Sequence, residues 1–180
     1  FSWLSHDDLY YTNKIKEQVQ FLRDYTDKNI IISSDVTIIN AKWKKENNIN
    51  INYSSEWFVG FLIWRSWINW CSLLIPSNCF KEVWVFNTEL KTTQDYDMWF
   101  RLAKKYKFKH MSKNLVYSRV HDWQDSKTKV LIAIKERSKL EKYVFNNFDI
   151  GIIKKWFNTN LPNFIFKFLL KIKFFIKKIV

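Results

Sequence analysis

The alternation of helix-like and strand-like segments predicts an α/β fold with a mixed sheet flanked by helices. Apolar residues recur at helical spacing in the segments 14–24 and 96–106, and short β-branched segments lie between them. The chain has 180 residues, of which 47% are hydrophobic and 19% aromatic. This length and composition are sufficient for one domain with a buried core.

The first predicted element is a helix over 14–24, with Ile15, Val19, Leu22 and Tyr25 on its apolar face. Strands are predicted at 30–32 and 36–39, and a polar loop rich in Asn and Lys at 42–56. A helix over 56–67, a buried strand over 71–76 and a helix over 96–106 come next. A strand over 115–120 and a long helix over about 126–146 complete the pattern.

Two adjacent carboxylates, Asp7 and Asp8, follow the short apolar stretch at the start of the chain. Mg²⁺ and Mn²⁺ take oxygen ligands and share their coordination shell with substrate phosphates, so one or two Asp side chains suffice. The pair therefore predicts a site for a metal ion and a diphosphate. The alternative is a structural pair that stabilises the N-terminal end of the following helix.

A second acidic cluster, TQDYDMWFRL, begins the helix predicted over 96–106. Asp95 is expected at the helix entrance, where free N–H groups hold a carboxylate that can face a cleft and act as a general base. The alternative for Asp95 is a simple N-cap. Farther on, the segment YSRVH places Arg119 and His121 after a β-type segment. A lone His is more often structural, so His121 gains weight only from its neighbours.

Together these segments resemble the second half of a family 2 glycosyltransferase of the GT-A (nucleotide-diphospho-sugar transferase) fold, of the bacterial type that builds cell-surface polysaccharides. SHDDLY is similar to the DXD region of that family, TQDYDMWFRL to the segment that supplies the base, and YSRVHDWQDS to its C-terminal strand and loop. The segments occur in order and at family-like separations over residues 1 to about 126. The resemblance therefore implies a partial GT-A fold.

The resemblance also implies residue roles. Asp95 is implied as the catalytic base, although Gln94 stands where the family has Glu. Asp7 and His121 are implied as ligands of Mg²⁺ or Mn²⁺. Contacts to the donor diphosphate are expected for Asp7, Asp8, Arg119 and His121, with Arg119 adding positive charge near the leaving group. An ion pair with a neighbouring Asp is an alternative role for Arg119.

The implied reaction is transfer of a sugar, with inversion, from a nucleotide-sugar donor to a glycan or lipid-linked acceptor. It needs a base for the acceptor hydroxyl and a cation for the departing diphosphate, at separate sites. We expect 1–126 to be the C-terminal part of the catalytic domain, without its nucleotide-binding N-terminal half, and 127–150 to be a helical extension. The alternative is a catalytically inactive, membrane-associated interaction module.

The segment 151–180 contains seven lysines and no acidic residue, over half of the formal net charge of +13. Residues 161–180 are predicted to form a basic amphipathic helix. Its five lysines argue against a spanning helix, since each costs roughly 2.5–3.5 kcal/mol at the bilayer centre. We expect it to bind an anionic membrane surface on the cytoplasmic face. The alternative is a helix packed on the domain. Nucleic acid is not expected, because the stretch matches no recognised module.

Glycine and tryptophan counts are unusual, with two Gly and ten Trp in the chain. Trp43, Trp70, Trp84 and Trp123 stand where the resembled family turns its backbone on Gly. A gene that reads UGA as Gly, translated with a table that reads UGA as Trp, explains both counts. The alternative is a naturally Trp-rich, degenerate enzyme. The hypothesis predicts a positive φ or an outward indole at Trp70 and Trp84.

Cys71 and Cys79 lie in apolar surroundings without metal-type spacing. We expect them to be reduced, packed thiols of a cytosolic protein.

Overall fold

A four-stranded mixed sheet with flanking helices lies at the centre of the structure, which confirms the predicted α/β class. The structure, a computed structural model, describes residues 1–65, 68–83, 85–124 and 128–148. The predicted basic helix over 161–180 and the backbone of Trp84 lie outside these residues.

The strands are β1 Leu9–Tyr10, β2 Ile30–Asn40, β3 Lys45–Ile49 and β4 Lys107–Val120, in the sheet order β1-β4-β2-β3. The central strands β2 and β4 run parallel, and the outer strands β1 and β3 pair antiparallel with them. Two short strands were predicted within β2, but Ser33, Ser34 and Asp35 continue the ladder, so it is one strand. The prediction of a loop over 42–56 is wrong for β3, which forms a hairpin with β2.

The helices are α1 Lys14–Arg23, α2 Phe58–Arg65, α3 Cys79–Val83, α4 Gln94–Ala103 and α5 Val130–Asn147, with 3₁₀ turns at Ser55–Trp57 and Trp70–Ser72. The predicted helices over 14–24, 56–67 and 96–106 are confirmed to within a few residues. The predicted strand over 71–76 is wrong. A 3₁₀ turn begins it because the Asn69 side chain accepts a hydrogen bond from Cys71 N–H, and only an isolated bridge joins Leu74 to Ile32.

The main core lies between the sheet and the helices α2, α4 and α5. Its fully buried members include Phe58, Leu62, Trp99, Leu102 and Phe108. Both cysteines are buried and form no disulfide among the described residues, which confirms the prediction that they are packed.

Helix α1 covers the other face of the sheet, and in its first two turns the side that it buries is polar. Lys14 and Gln18 are fully buried, whereas Ile15 and Val19 are 43% and 38% exposed, so the predicted apolar face is wrong in the first two turns. Lys14 Nζ donates to Ser2 Oγ and Gln18 Oε1, both at 2.8 Å. Burial of the amine lowers the pKa of Lys14 to about 8. The two acceptors partly compensate the cost of burying this group.

The hairpin between β2 and β3 turns on a tryptophan with a left-handed backbone. Asn40 C=O accepts the N–H of Trp43 at 2.9 Å, and Trp43 has φ of 62°. Among the residues that the structure describes, it is the one non-glycine residue with positive φ. A turn followed by a left-handed residue is a common hairpin geometry, and glycine favours that position.

The other tryptophans differ. Trp70 lies in a 3₁₀ turn without positive φ, and its ring packs against Phe86 and Trp99 at centroid distances of 5.0 and 6.1 Å. The prediction of a positive φ or an outward indole is therefore wrong for Trp70. The crowding predicted there leaves its buried Nε1 without a hydrogen-bond partner among the described residues. Trp123 is 86% exposed.

Candidate functional site

The pairing of β1 with β4 brings the N-terminal carboxylates to the end of β4. Leu9 lies opposite Tyr117 in an antiparallel register. Extending that register by two residues places Asp7 level with Arg119. Two segments that are more than a hundred positions apart in sequence therefore meet at one edge of the sheet.

Asp7 is the centre of a cluster with Arg119 and His121. Its Oδ1 accepts a hydrogen bond from Arg119 Nη2 at 2.9 Å, and its Oδ2 lies 3.2 Å from His121 Nε2. His6 Nε2 is 3.5 Å from the same oxygen. The hydrogen bond from Arg119 is the main reason why the pKa of Asp7 is lowered, against the opposing effect of burial. Asp7 is thus an anion at neutral pH.

Asp8 is buried, and its carboxylate is used within the protein. Its Oδ1 accepts the backbone N–H of Arg119 at 3.0 Å, and its Oδ2 accepts Asn69 Nδ2 at 3.2 Å. Asn69 Nδ2 also donates to Ser118 Oγ at 2.9 Å. Asp8 therefore fixes the end of β4 against the 69–72 turn. The hydrogen bonds of Asp7 and Asp8 go to these partners, so they do not support the alternative of a pair that serves the start of α1.

The Asp7 and His121 side chains offer two donor atoms of the kinds that divalent cations take. His121 Nε2 is buried and, within the described residues, has no aligned hydrogen bond, although Asp7 Oδ2 lies nearby. An imidazole nitrogen facing a carboxylate oxygen is a donor pair that Mn²⁺ accepts, and Mg²⁺ takes the carboxylate. No group of three or more His, Cys, Asp or Glu in the described ranges is arranged to hold a metal ion. A cation here would need further ligands from substrate.

An open cleft of about 770 Å³ adjoins this cluster. Asp8 and Asp95 both line it, as do Ser118 and Val120 from the end of β4. The structure thus brings Asp7, Arg119 and His121 into one cluster. Asp95 lies on the cleft next to this cluster, and Asp8 lines the same cleft. Asp7 and His121 do not themselves line the cleft.

Asp95 is the second residue of α4. The N-cap is Thr93, so the alternative interpretation of Asp95 as an N-cap is wrong. Asp95 Oδ1 accepts the N–H of Tyr96 at 2.8 Å. Burial raises the pKa of Asp95 to about 6, although the N–H donors of the helix start oppose this. Gln94 donates to Leu90 C=O at 2.7 Å instead of facing a ligand.

One residue that sequence reasoning missed is Glu136 on α5. Its carboxylate accepts hydrogen bonds from Lys91, Thr92 and Thr93, the three residues before Gln94. Its pattern in the sequence is that of an ordinary exposed helix position, so no local signal identifies it.

A buried trio of Ser33, His110 and Asp35 has the order of a hydrolytic triad. Ser33 Oγ lies 2.8 Å from His110 Nδ1, and His110 Nε2 lies 2.9 Å from Asp35 Oδ1. Ser33 is fully buried and the His110 side chain is 2% exposed, so a substrate cannot reach the hydroxyl. Burial lowers the pKa of His110 despite the neighbouring carboxylate. The trio joins β2 to β4 and is structural.

Comparison with known proteins finds several relatives at similar identity, and three of them are described here. The chain is 40% identical over 133 residues to an uncharacterized glycosyltransferase of Rickettsia felis, covering 71% of the chain and 22% of that protein. It is 39% identical over 132 residues to one of Rickettsia typhi and 36% identical over 132 residues to one of Rickettsia prowazekii. Each of these alignments covers 71% of the chain and 42% of the relative. No protein-family profile matches the chain.

The chain therefore spans less than half the length of each of these relatives. The chain is therefore similar to one part of proteins that are named glycosyltransferases.

Proposed function

We propose that this chain carries the base and the diphosphate-binding residues of a family 2 type, inverting glycosyltransferase. The observation that supports this most is the position of Asp95 on a cleft that adjoins the Asp7, Arg119 and His121 cluster. The names of the relatives support the same class of reaction.

Asp95 is the proposed general base. It takes the proton of an acceptor hydroxyl while the acceptor oxygen attacks the anomeric carbon of the donor sugar. A base works best when its pKa is near the working pH, and burial brings the pKa of Asp95 to about 6. Attack from the side of Asp95 breaks the bond to the diphosphate on the opposite side, which inverts the anomeric centre.

The cluster at the end of β4 is the proposed leaving-group site. Arg119 is held by Asp7 at 2.9 Å and supplies positive charge beside the departing diphosphate. Asp7 and His121 would hold Mg²⁺ or Mn²⁺, which when bound would neutralise charge on the diphosphate. Asp8 keeps this site in place through Asn69 and the Arg119 backbone.

The cleft volume of about 770 Å³ suits a sugar together with part of an acceptor. Aliphatic side chains of α5 line it beside Asp95, namely Val130, Ala133 and Ile134. The proposed acceptor is a glycan or a lipid-linked glycan of cell-surface polysaccharide synthesis.

We further propose that the protein is peripheral on the cytoplasmic face of the membrane, through residues 161–180. Among the described residues, no helix is long and apolar enough to cross a membrane. Removing 161–180 is expected to release the protein from anionic phospholipid vesicles, and high salt is expected to weaken binding without abolishing it. Undiminished vesicle binding after the removal would contradict this part of the proposal.

The experiment that tests the function uses the complete gene product with a panel of nucleotide sugars and Mn²⁺ or Mg²⁺. We expect release of nucleoside diphosphate that depends on the cation and a glycosylated product of inverted configuration, read by NMR. A pure protein that binds a donor but transfers nothing to any acceptor would instead favour the inactive interaction module.

A further inference from the structure

The Glu136 carboxylate of α5 is surrounded by donors from one short segment. Oε1 accepts Lys91 N–H at 2.7 Å. Oε2 accepts Thr92 N–H at 3.0 Å and Thr93 N–H at 3.1 Å, and also the hydroxyls of Thr92 and Thr93 at 2.8 and 3.0 Å. One side chain thus receives five hydrogen bonds from three consecutive residues.

These residues are the entrance to α4. Thr93 is the N-cap, and its hydroxyl does not cap the helix because it donates to Glu136. Thr92 and Thr93 line the cleft together with Asp95, which follows two residues later. The carboxylate therefore sets the path of the backbone directly before the proposed base.

Helix α5 is itself firmly placed. Leu140 and Val144 are buried in the main core, and Arg137 donates to Ile63 C=O at 3.0 Å. Arg137 also lies over the ring of Tyr96, 5.5 Å from its centroid. Glu136 therefore projects from an element whose position is determined by packing on both α2 and α4.

We propose that Glu136 is a positioning residue that holds Asp95 at the cleft, so α5 belongs to the catalytic site and is more than an extension of it. This inference rests on the proposed function. Loss of Glu136 would leave the helix entrance free to shift and admit water to Asp95. Charge-assisted bonds to backbone N–H groups are strong, which suits a clamp.

The test compares Glu136→Gln with Glu82→Gln in the complete gene product. Glu82 is a surface carboxylate, 49% exposed and 3.4 Å from Lys105, so its variant controls for loss of one charge. We expect Glu136→Gln to lower kcat roughly tenfold to a hundredfold, because small misplacements of a reacting group cost up to about that much. Donor affinity is expected to stay unchanged, and Glu82→Gln to behave as wild type.

The pH profile separates positioning from stability. With wild type, the acid limb of kcat/KM is expected near the raised pKa of Asp95, about 6. In Glu136→Gln the limb should move to lower pH, because water reaching Asp95 returns its pKa toward the ordinary value of 3.8. The charged groups that share the cleft, Asp8, Glu46 and Arg137, are unchanged in this variant.

Three outcomes are distinguishable. A slower enzyme with a shifted acid limb supports the proposal. If Asp95→Asn abolishes transfer but Glu136→Gln keeps the wild-type kcat and acid limb, or lowers only the melting temperature, Glu136 is structural and the proposal is overturned. If wild type transfers no sugar, the proposed function fails first.

Should Glu136→Gln not fold, the Thr92→Val and Thr93→Val variants, which each remove one hydroxyl donor, give the same readouts.

Discussion

Arg119 donates to Asp7 over a distance of 2.9 Å although the two residues are 112 positions apart. The contact follows from the pairing of Leu9 with Tyr117, which brings the Asp pair alongside the end of β4. It joins a carboxylate, a guanidinium and the His121 imidazole in one partly buried cluster. In the proposed function this cluster binds the diphosphate, and the Asp7 carboxylate keeps the Arg119 guanidinium in place for it.

Replacement of Asp7 by Asn is expected to weaken donor binding. The variant loses the proposed anionic ligand for the cation and the partner of Arg119. Loss even of a group that only supports a metal ligand typically costs roughly 10- to 100-fold in metal affinity, so a decrease of at least this size is expected. Titration calorimetry with the nucleotide-sugar donor and Mn²⁺ measures this directly. Asp24→Asn, at an exposed position after α1, is the matched control and should bind as wild type. Equal affinity of Asp7→Asn and wild type would remove Asp7 from the donor site.

The helical spacing of Tyr96, Trp99 and Phe100 is what made α4 predictable, because the side that packs in the core is written into one short segment. The position of Asp95 at the start of α4 was predictable for the same reason, because it depends on this one segment alone. The β1–β4 register is not local information. It depends on pairing between residues 9 and 117, so sequence reasoning reached the Asp7 and His121 cluster only through resemblance to a family.

Asp95 is expected to destabilise the fold at neutral pH. Its pKa is raised from 3.8 to about 6, so the native state binds the proton more tightly than the unfolded state, and stability falls as pH rises through this range. Asp95→Asn should therefore raise the free energy of unfolding on the order of 1–2 kcal/mol above pH 7. Urea unfolding at pH 4 and pH 7.5 tests this, since the difference from wild type should be smaller at pH 4. A variant less stable than wild type at pH 7.5 would contradict it.

Ser33 is expected to matter for stability and not for transfer. Ser33→Ala removes the hydrogen bonds to Tyr53 OH, at 2.6 Å, and to His110 Nδ1, at 2.8 Å. Leaving these buried groups unpaired should cost about 1–3 kcal/mol of unfolding free energy. Urea unfolding and a transfer assay on the same preparation measure both quantities. Loss of transfer with unchanged stability would mean that the buried trio takes part in chemistry.

The left-handed turn at Trp43 gives a test that depends on backbone conformation. Trp43→Gly and Trp43→Ala both remove the indole, which lies 4.6 Å from the Arg119 guanidinium, but only Ala retains a Cβ at φ of 62°. The Gly variant is expected to be about 1 kcal/mol more stable than the Ala variant. Thermal unfolding of the pair measures the difference. Equal stability would show that the turn does not require glycine.

The codons provide an independent check on the same hypothesis. UGA is expected at Trp43, Trp70, Trp84 and Trp123. UGG is expected at Trp3 and at Trp99, which is fully buried in the core. UGG at all ten positions would end the hypothesis and strengthen the inactive-module alternative.

Two features of the structure, one in the site and one in the packing of α1, had no sequence signal of their own. Glu136 is one of several charged residues on α5, and its five donors come from a segment more than forty positions earlier. Lys14 and Gln18 are polar residues on a buried face, because acceptors from Ser2 and the 72–73 carbonyls meet them there. Hydrophobic periodicity cannot anticipate burial that is compensated by distant hydrogen bonds.

The most direct test of the account is the transfer rate of Asp95→Asn in the complete gene product, measured with donor affinity on the same preparation. Loss of a general base predicts a decrease in kcat of about 10²- to 10⁴-fold. Donor affinity should remain within about twofold of wild type, because the proposed diphosphate site is the Asp7 cluster and not Asp95. A variant that still transfers sugar at the wild-type rate, with normal donor binding, would contradict the assignment of Asp95 as the base.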